Sequence, residues 1–440
     1  MFKKNQTETL GLLTLIFFMM TGLCLADSLL IQKNLVIQLI EADDLEGARQ
    51  ATQTLIADYD THTDISMAIC DIADHYRGKN YQENSRKLYQ YLADHWPSDG
   101  YAMWARMHLV ISDIQKGEGT AAQTEIDSLI MDFSGHEYIS NAVCEIADEY
   151  LKQGDITKSN ELYQQILDNW PHGSHAMWAQ MHLVISDIQK GNDTVAQTEI
   201  DKLIIDFPGH EGISNAVCSI ADEYRENGYF AKANDLYQRM LDNWPSGSHS
   251  MWARMHLTRS DIERGNYSAA ATVVNNLQTN FASDPDLVIA INYLAEGFYY
   301  EAVTQQQQAN NEQARICYQK AITAWERIPQ NWPNVEFIAG VHMMISTCYL
   351  DLNEYDLVIE NFQSAIDNFK IITTNYPGAD NAWHAQFMIG RCYEKMAENE
   401  MISKAQAELN IRTIYSDLVA NFPNCPAAKA ARDWLDNHTN

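Results

Sequence analysis

Basic residues are scarce in this sequence of 440 residues. Lysine and arginine together number 30, whereas aspartate and glutamate number 59, which gives a formal net charge of −29. A nucleic-acid-binding protein needs a basic face that neutralises phosphates, so this composition argues against nucleic acid as a partner. The mean hydropathy of −0.34 likewise argues against a protein with many membrane spans.

Recognisable catalytic and cofactor motifs are also missing. The sequence contains no GxSxG, HExxH, P-loop or dinucleotide-binding pattern. A catalytic site brings unlike groups to one point, whereas near-identical copies of a segment multiply a surface. We therefore predict a protein that is not an enzyme and has no cofactor. A hydrolase with paired carboxylates on one face is the enzymatic alternative.

Residues 1–26 are typical of a secretory signal peptide. Two lysines precede an uncharged apolar stretch, Leu10 to Leu25, and the small residues Cys24 and Ala26 fit a cleavage site. We expect export to the periplasm or cell surface of a bacterium, with cleavage near Ala26. A retained membrane anchor and lipidation at Cys24 are the alternatives.

The cysteines show no metal-binding or redox spacing. Three of them occupy one repeated position: Cys70, Cys144 and Cys218. Equivalent positions of stacked repeats lie too far apart for a disulfide, so we predict buried, small apolar residues there. A disulfide among the later cysteines stays open: Cys317, Cys348, Cys392 and Cys425.

A repeat of 74 residues dominates the sequence. Met103–Tyr150 aligns with Met177–Tyr224, and 39 of these 48 positions are identical. A third copy begins at Met251, and an earlier partial copy contains Met67–Tyr76. Each 74-residue unit divides into two halves of 37 residues. Repetition at this period is typical of solenoid proteins.

Each half has the pattern of two helices joined by a turn. Apolar residues recur at spacings of three and four from Val143 to Tyr150 and again from Leu162 to Leu167, with Gly154 between them. Pro171 ends the second helix. No segment alternates apolar and polar residues as a strand would, so we predict an all-α fold.

These residues, in this order, resemble the tetratricopeptide repeat (TPR) family. The family positions are filled by Ala147, Tyr150, Gly154, Ser159, Tyr163, Ile166 and Pro171, and in the next copy by Ala221, Tyr224, Gly228, Ala233, Tyr237, Met240 and Pro245. In the earlier copy Asn80 replaces the glycine. The alternate halves depart from the pattern, with Val110 for a small residue and Asp113 for an aromatic one.

The resemblance implies a right-handed α-solenoid of about ten helix–turn–helix repeats. After the leader we predict a regular array over residues 27–287 with seven units, longer divergent units over 288–425, and a capping helix and tail over 426–440. The last 70 residues or so also resemble the exported TPR proteins of bacterial envelopes, of the outer-membrane-assembly lipoprotein and Tol-associated types.

Three Trp/His pairs are the main candidate binding residues. They are Trp104/His108, Trp178/His182 and Trp252/His256. A spacing of four places each pair on one helical face. The resemblance assigns that helix to the inner groove, where the pairs would form an aromatic stripe for an apolar or peptide ligand. Packing between repeats is the alternative interpretation, and metal binding is a weaker one, because the histidines belong to different units.

Three aspartates form a second periodic set. They are Asp74, Asp148 and Asp222. They could present negative charge to a basic partner, or they could belong to a solvated acidic face. We predict a protein–protein interaction scaffold of the cell envelope whose concave groove binds a basic or apolar protein or peptide. A spacer that oligomerises through its ends and convex face, and a glycan-binding module that uses the Trp rows, are the alternatives.

Overall fold

The computed structural model describes residues 28–246, 248–353 and 358–438. The predicted signal peptide lies outside these residues. All regular elements in the described ranges are helices, as the apolar spacing predicted. Within the same ranges, no helix is both long enough and apolar enough to cross a membrane.

The chain divides into two compact units, Met1–Pro208 and Gly209–Asn440. The helices of the first unit are α1 (Ser28–Glu41), α2 (Leu45–Tyr59), α3 (Ile65–Gly78), α4 (Gln82–His95), α5 (Gly100–Gln115), α6 (Gly119–Asp132), α7 (Ile139–Lys152), α8 (Ile156–Asn169), α9 (Ala176–Gln189) and α10 (Asp193–Asp206). The odd-numbered helices are the A helices of this unit and the even-numbered ones the B helices.

The helices of the second unit are α11 (Ile213–Glu226), α12 (Phe230–Asn243), α13 (Ser248–Glu263), α14 (Tyr267–Asn280), α15 (Leu287–Gln307), α16 (Asn311–Trp325), α17 (Arg327–Asn331), α18 (Ile338–Leu352), α19 (Ile359–Asn375), α20 (Ala382–Glu398), α21 (Lys404–Asn421) and α22 (Ala428–Asn437). Its A helices are α11, α13, α15, α18 and α20. The described residues of each unit thus form five helical pairs, and both units have the all-α, TPR-like solenoid fold that the repeat predicted.

The turn between the two helices of a pair explains why the sequence has glycine or asparagine there. Gly154 has a φ of +83°, a conformation that costs little only for glycine. Asn80, which replaces the glycine in the earlier copy, has a φ of +64°, and asparagine is among the few other residues that tolerate this region. The Asp155 side chain then accepts a hydrogen bond from the backbone N–H of Lys158 at 3.0 Å and caps the start of α8.

The core lies between the helices of each pair and the next A helix. Ala73, Ala147 and Ala221 are fully buried, and a small residue there lets two helices approach closely. The repeated cysteines are also buried, and burial raises the pKa of the Cys70 thiol to about 12. These thiols therefore pack as apolar groups, as we predicted.

Asp113 illustrates how a departure from the family pattern is accommodated. This residue is buried, and its carboxylate forms an ion pair with Arg86 of the preceding B helix at 2.7 Å. In the next copy Asn160 replaces the arginine and donates a hydrogen bond to Ser186 at 2.7 Å. A polar link thus replaces the aromatic contact that the family pattern would place at this point.

The second unit contains the longer repeats. A run of four glutamines, Gln305 to Gln308, extends the end of α15 rather than forming a loop. Tyr318 donates a hydrogen bond to Gln306 at 2.9 Å. The buried Trp325 donates from its indole to Asn292 at 2.8 Å. At the end of this unit, α22 packs against α21, and Trp434 contacts the Tyr415 ring edge-on at 5.6 Å. The domain boundaries at residues 287 and 425 remain predictions.

Several neighbouring A helices also pack directly against one another. In the first unit α1 contacts α3, α3 contacts α5, and α5 contacts α7; in the second, α11 contacts α13 and α13 contacts α15. This packing draws the A-helix side of each stack together, which favours that side as the concave one. The Trp and His rows are carried by A helices, namely α5, α9 and α13.

Candidate functional site

The predicted aspartate and histidine sets, which the sequence presents separately, meet in the structure. Each aspartate lies on an A helix, and the histidine comes from the next A helix. Between them lies a tyrosine of the intervening B helix. We call these groups the Asp–Tyr–His links: Asp74–Tyr89–His108, Asp148–Tyr163–His182 and Asp222–Tyr237–His256.

The first link joins α3, α4 and α5. The Tyr89 hydroxyl donates to the Asp74 carboxylate at 2.5 Å. The His108 ring stacks on the Tyr89 ring with 4.9 Å between centroids, and its Nε2 lies 3.6 Å from the same Asp74 oxygen. A hydrogen bond to a charged acceptor is stronger than a neutral one, so the aspartate holds the tyrosine in place. The ring stacking between Tyr89 and His108 then joins the next helix to this pair.

The other two links repeat this geometry. In the second, the rings of Tyr163 and His182 stack at 4.7 Å, and the histidine Nε2 lies 3.8 Å from Asp148. In the third, the His256 ring stacks on the Tyr237 ring at 4.9 Å, and its Nε2 lies 3.4 Å from Asp222. In both, the tyrosine hydroxyl donates to the aspartate. The three links therefore share the same stacking and hydrogen-bonding geometry.

Burial keeps the link histidines neutral. It lowers the pKa of His108 to about 4, with the Arg77 charge acting in the same direction. Burial and the Arg225 charge likewise lower the pKa of His256 to about 4. Burial also lowers the pKa of His182, where Leu151 occupies the position corresponding to the two arginines. Neutral imidazoles can stack on the tyrosines without an unpaired buried charge.

The link tyrosines stay protonated and the aspartates stay partly exposed. Burial, together with the hydrogen bond to Asp74, raises the pKa of Tyr89 far above its ordinary value. Between 35% and 44% of each aspartate side chain remains exposed. Each carboxylate therefore stabilises its link and still presents negative charge to solvent.

The three tryptophans of the row are half-buried. Trp104 and Trp178 pack against the core of the first unit, and Trp252 packs against that of the second. Each thus contributes to packing and keeps part of its ring accessible. This geometry accommodates both interpretations of the row, so the role of these residues in binding a partner stays a prediction.

A cleft beside the first link has a volume of about 320 Å³. Arg77, Gln82, His108 and Glu145 are among its lining residues. The lining is mainly polar, and it combines basic and acidic side chains. From the first Trp/His pair, His108 lines this cleft, whereas Trp104 is not among the described residues that line it.

A second cleft lies beside the third link and has a volume of about 550 Å³. The structure brings the predicted residues Trp252, His256 and Asp222 together here, with Phe230 and Tyr293. It occupies the same place in the repeat as the first cleft, two copies further along the chain. We call these two sites the link clefts.

The histidines of the row do not converge on one point in the described part of the chain. That part contains no group of three His, Cys, Asp or Glu side chains placed to hold a metal ion. The three histidines of the row lie in separate links, and each is stacked on its own tyrosine. Each link thus presents one partly exposed carboxylate, and a half-buried tryptophan lies one helical turn before its histidine.

Sequence reasoning missed the tyrosines of the links as members of the site. Tyr89, Tyr163 and Tyr237 were assigned only to the family pattern. Their constant separation of 15 residues from the preceding aspartate was the available signal. Phe230 and Tyr293 were also missed, because they differ between copies and so fall outside the repeated pattern.

One family model matches part of the chain. Residues 213–407 match the family model described as YfiO, outer membrane lipoprotein. The described helical pairs have a TPR-like fold. The match supports the resemblance to envelope TPR proteins and includes the first part of the C-terminal 70 residues in which that resemblance was noted. It spans less than half of the chain. No curated protein matches the chain.

Solved structures of TPR proteins show similarity to the chain at low identity. One is the C-terminal part of a TPR repeat-containing protein from Cytophaga hutchinsonii, at 12% identity and a TM-score of 0.41, covering 65% of this chain and 97% of that one. Another is a tetratricopeptide repeat protein from Parabacteroides merdae, at 12% identity and a TM-score of 0.35, covering 72% of this chain and 99% of that one.

Proposed function

We propose that this chain is a non-enzymatic interaction scaffold of the bacterial cell envelope. It binds a partner protein or peptide along its A-helix side, through the rows of Trp, His and Asp residues. The observation that carries this proposal is the pair of link clefts, which recur at one place in the repeat, one in each compact unit. A recurring cleft suits an extended partner that repeats its contacts along the array.

The chemistry of the rows supports a polypeptide ligand. Half-buried indoles supply large, rigid contact surfaces, and such residues dominate binding energy at protein interfaces. The link carboxylates add negative charge beside them. Because each contact is weak on its own, affinity would come from several repeats engaged at once. The family match to an outer membrane lipoprotein and the predicted signal peptide support an envelope location.

In-cell cross-linking with mass spectrometry tests the proposal. The variant replaces Trp104, Trp178 and Trp252 by leucine, which keeps an apolar contact with the core and removes the indole surface. We expect loss of a defined envelope protein from the cross-linked set, since each indole at an interface contributes about 1–2 kcal/mol.

The matched control removes three exposed apolar side chains from B helices, in the variant Met131/Ile205/Leu409→Ala; these side chains are 72%, 73% and 61% exposed. Circular dichroism establishes that both variants stay helical. An unchanged partner set in the tryptophan variant would refute the groove scaffold. Capture of cell-wall glycans in place of proteins would refute it too and favour a glycan-binding module.

A further inference from the structure

The two link clefts differ in chemistry although they share one place in the repeat. Phe230 stands in the second cleft where Gln82 stands in the first, and Tyr293 stands where Glu145 stands. Trp252 lines the second cleft as well, and Phe230 is 50% exposed. The second cleft is therefore walled by aromatic rings that a ligand can reach.

One of the two acidic groups of the second cleft, Glu226, has no acidic counterpart in the other copies. Asp222 and Glu226 are four residues apart on α11 and both line the cleft. At the position of Glu226, the first copy has Gly78 and the second has Lys152. Burial raises the pKa of Asp222, and the Glu226 charge acts in the same direction. Asp222 and Glu226 are thus held close together. In the second copy, Lys152 instead follows Asp148 at the same spacing.

The arginines near the cleft are engaged by another carboxylate. Arg225 lies 3.9 Å from Glu263 and donates to the Tyr293 hydroxyl at 3.2 Å. Arg259 pairs with the same Glu263 at 3.1 Å. With Asp222 and Glu226 included, three carboxylates face two guanidinium groups, and this leaves one negative charge in excess beside the aromatic walls.

These same rings already accommodate cations in the structure. The Arg225 guanidinium lies 5.6 Å from the centre of the Phe230 ring, and that of Arg259 lies 5.2 Å from the centre of the Tyr293 ring. Aromatic faces attract cations within about 6 Å of the ring centre. The cleft therefore combines the two features that recognise a cation, namely aromatic faces and an uncompensated carboxylate.

We propose that the second link cleft binds a lysine or arginine side chain of a partner polypeptide. The proposal rests on the proposed scaffold function and adds the chemistry of the partner at one place. Glu226 and Asp222 attract the cationic group, and the rings of Phe230 and Trp252 cover its alkyl stem. The first link cleft lacks this preference, because three basic side chains line it together with only two carboxylates: Arg77, Arg86 and Lys152 with Glu145 and Glu149. In the second cleft Arg225 is the one lysine or arginine among the described lining residues, with Asp222 and Glu226 beside it.

The test is a titration of the full chain, labelled with ¹⁵N at its tryptophan indoles. The probe is a short glycine–serine peptide that carries three lysines, and its counterpart has all three lysines acetylated. We expect the lysine peptide to shift the indole signal of Trp252 and to leave those of Trp104 and Trp178 in place. The acetylated peptide should produce no shift, because acetylation removes the charge.

Three variants identify the groups that bind. Glu226→Gln should raise the Kd at least about threefold, and Phe230→Gln, which introduces the residue of the first cleft, about fivefold, as expected for single contacts with a cation. Glu360→Gln is the matched control, since it removes one exposed carboxylate at the start of α19 in the same unit. It should leave the Kd within about 1.5-fold, because Glu360 is not among the residues that line the cleft and an exposed charge is screened by salt.

Several results would overturn the assignment. These are an equal shift with the acetylated peptide, an equal weakening by Glu226→Gln and Glu360→Gln, or no shift of Trp252 at all. The two proposals fail separately. If the tryptophan variant loses its partners but the lysine peptide does not shift the Trp252 signal, the scaffold proposal stands and the cationic ligand is refuted. If the lysine peptide shifts the Trp252 signal but the tryptophan variant keeps all its partners, the cleft binds a cation and the groove scaffold is refuted.

Discussion

Acidification should weaken the repeat array through the histidines of the links. The folded protein holds the pKa of His108 and of His256 at about 4, below the ordinary value of 6.5. The unfolded chain therefore binds protons more readily than the folded one between these values. Stability from the neutral, stacked rings is fully present above about pH 6.5 and is lost as the pH falls toward 4.

The size of the effect follows from the two pKa values. At pH 5 the difference in proton binding corresponds to about 2 kcal/mol for each of these histidines. Their side chains are only 13% and 15% exposed, so solvent screening reduces this value little. His182 adds to the effect in the same direction. Between pH 7.5 and pH 5 the links should thus contribute a loss of about 4 kcal/mol or more.

The measurement is urea unfolding followed by circular dichroism at both pH values. Acidification also relieves repulsion in a protein of charge −29, so the wild type must be compared with the variant His108/His182/His256→Gln. The free energy of unfolding should fall by about 4 kcal/mol more in the wild type than in this variant. His172→Gln, which removes an exposed histidine, should behave as the wild type does. Equal pH dependence in the wild type and the triple variant would refute the reasoning, as would link imidazoles that titrate near 6.5 by NMR.

Two further predictions concern packing. Gly390→Ala should destabilise the second unit by about 1–3 kcal/mol, because the new Cβ would lie only 2.7 Å from Tyr415 Cζ; Gly340→Ala, where the Cβ meets nothing within 4 Å, should stabilise a helix by up to about 1 kcal/mol. Thermal unfolding of both variants checks this, and equal effects would contradict it. Tyr163→Phe removes the donor to Asp148 and should cost about 1–3 kcal/mol; a urea midpoint equal to that of the wild type would show that this hydrogen bond adds no net stability.

The helical architecture was predictable because its causes are local. Spacings of three and four between apolar residues, with Gly154 at a turn and Pro171 after a helix, are read directly from the chain. The same pattern placed each Trp and His of the row on one helix face. The turn at Asn80 was predictable in principle, since asparagine tolerates the left-handed conformation that the repeat requires.

The Asp–Tyr–His links were beyond this kind of reasoning. Asp74, Tyr89 and His108 lie on three different helices, and their contact depends on how one pair packs against the next. Periodicity assigns each residue to a face of its own helix and contains no information on that packing. The copies therefore predicted two separate rows where the structure has one joined set.

The chemistry of the second link cleft was hidden for a different reason. Repeat analysis draws attention to positions that are identical between copies, whereas Phe230 and Glu226 differ from their counterparts. Tyr293 lies on the long helix α15, which belongs to a more divergent repeat. The aromatic and acidic lining that distinguishes the second cleft thus comes from residues that differ between copies. Their effect can be recognised only once the packing of the neighbouring helices is known.

The links also bear on how such a chain can change over generations. Each joins a helical pair to the pair that follows, with the same three side chains at the same separations. Insertion or deletion of one whole 74-residue segment, by recombination between its near-identical coding copies, would leave every remaining link with its three members. The length of the array can therefore vary in steps of two pairs without any new junction having to evolve.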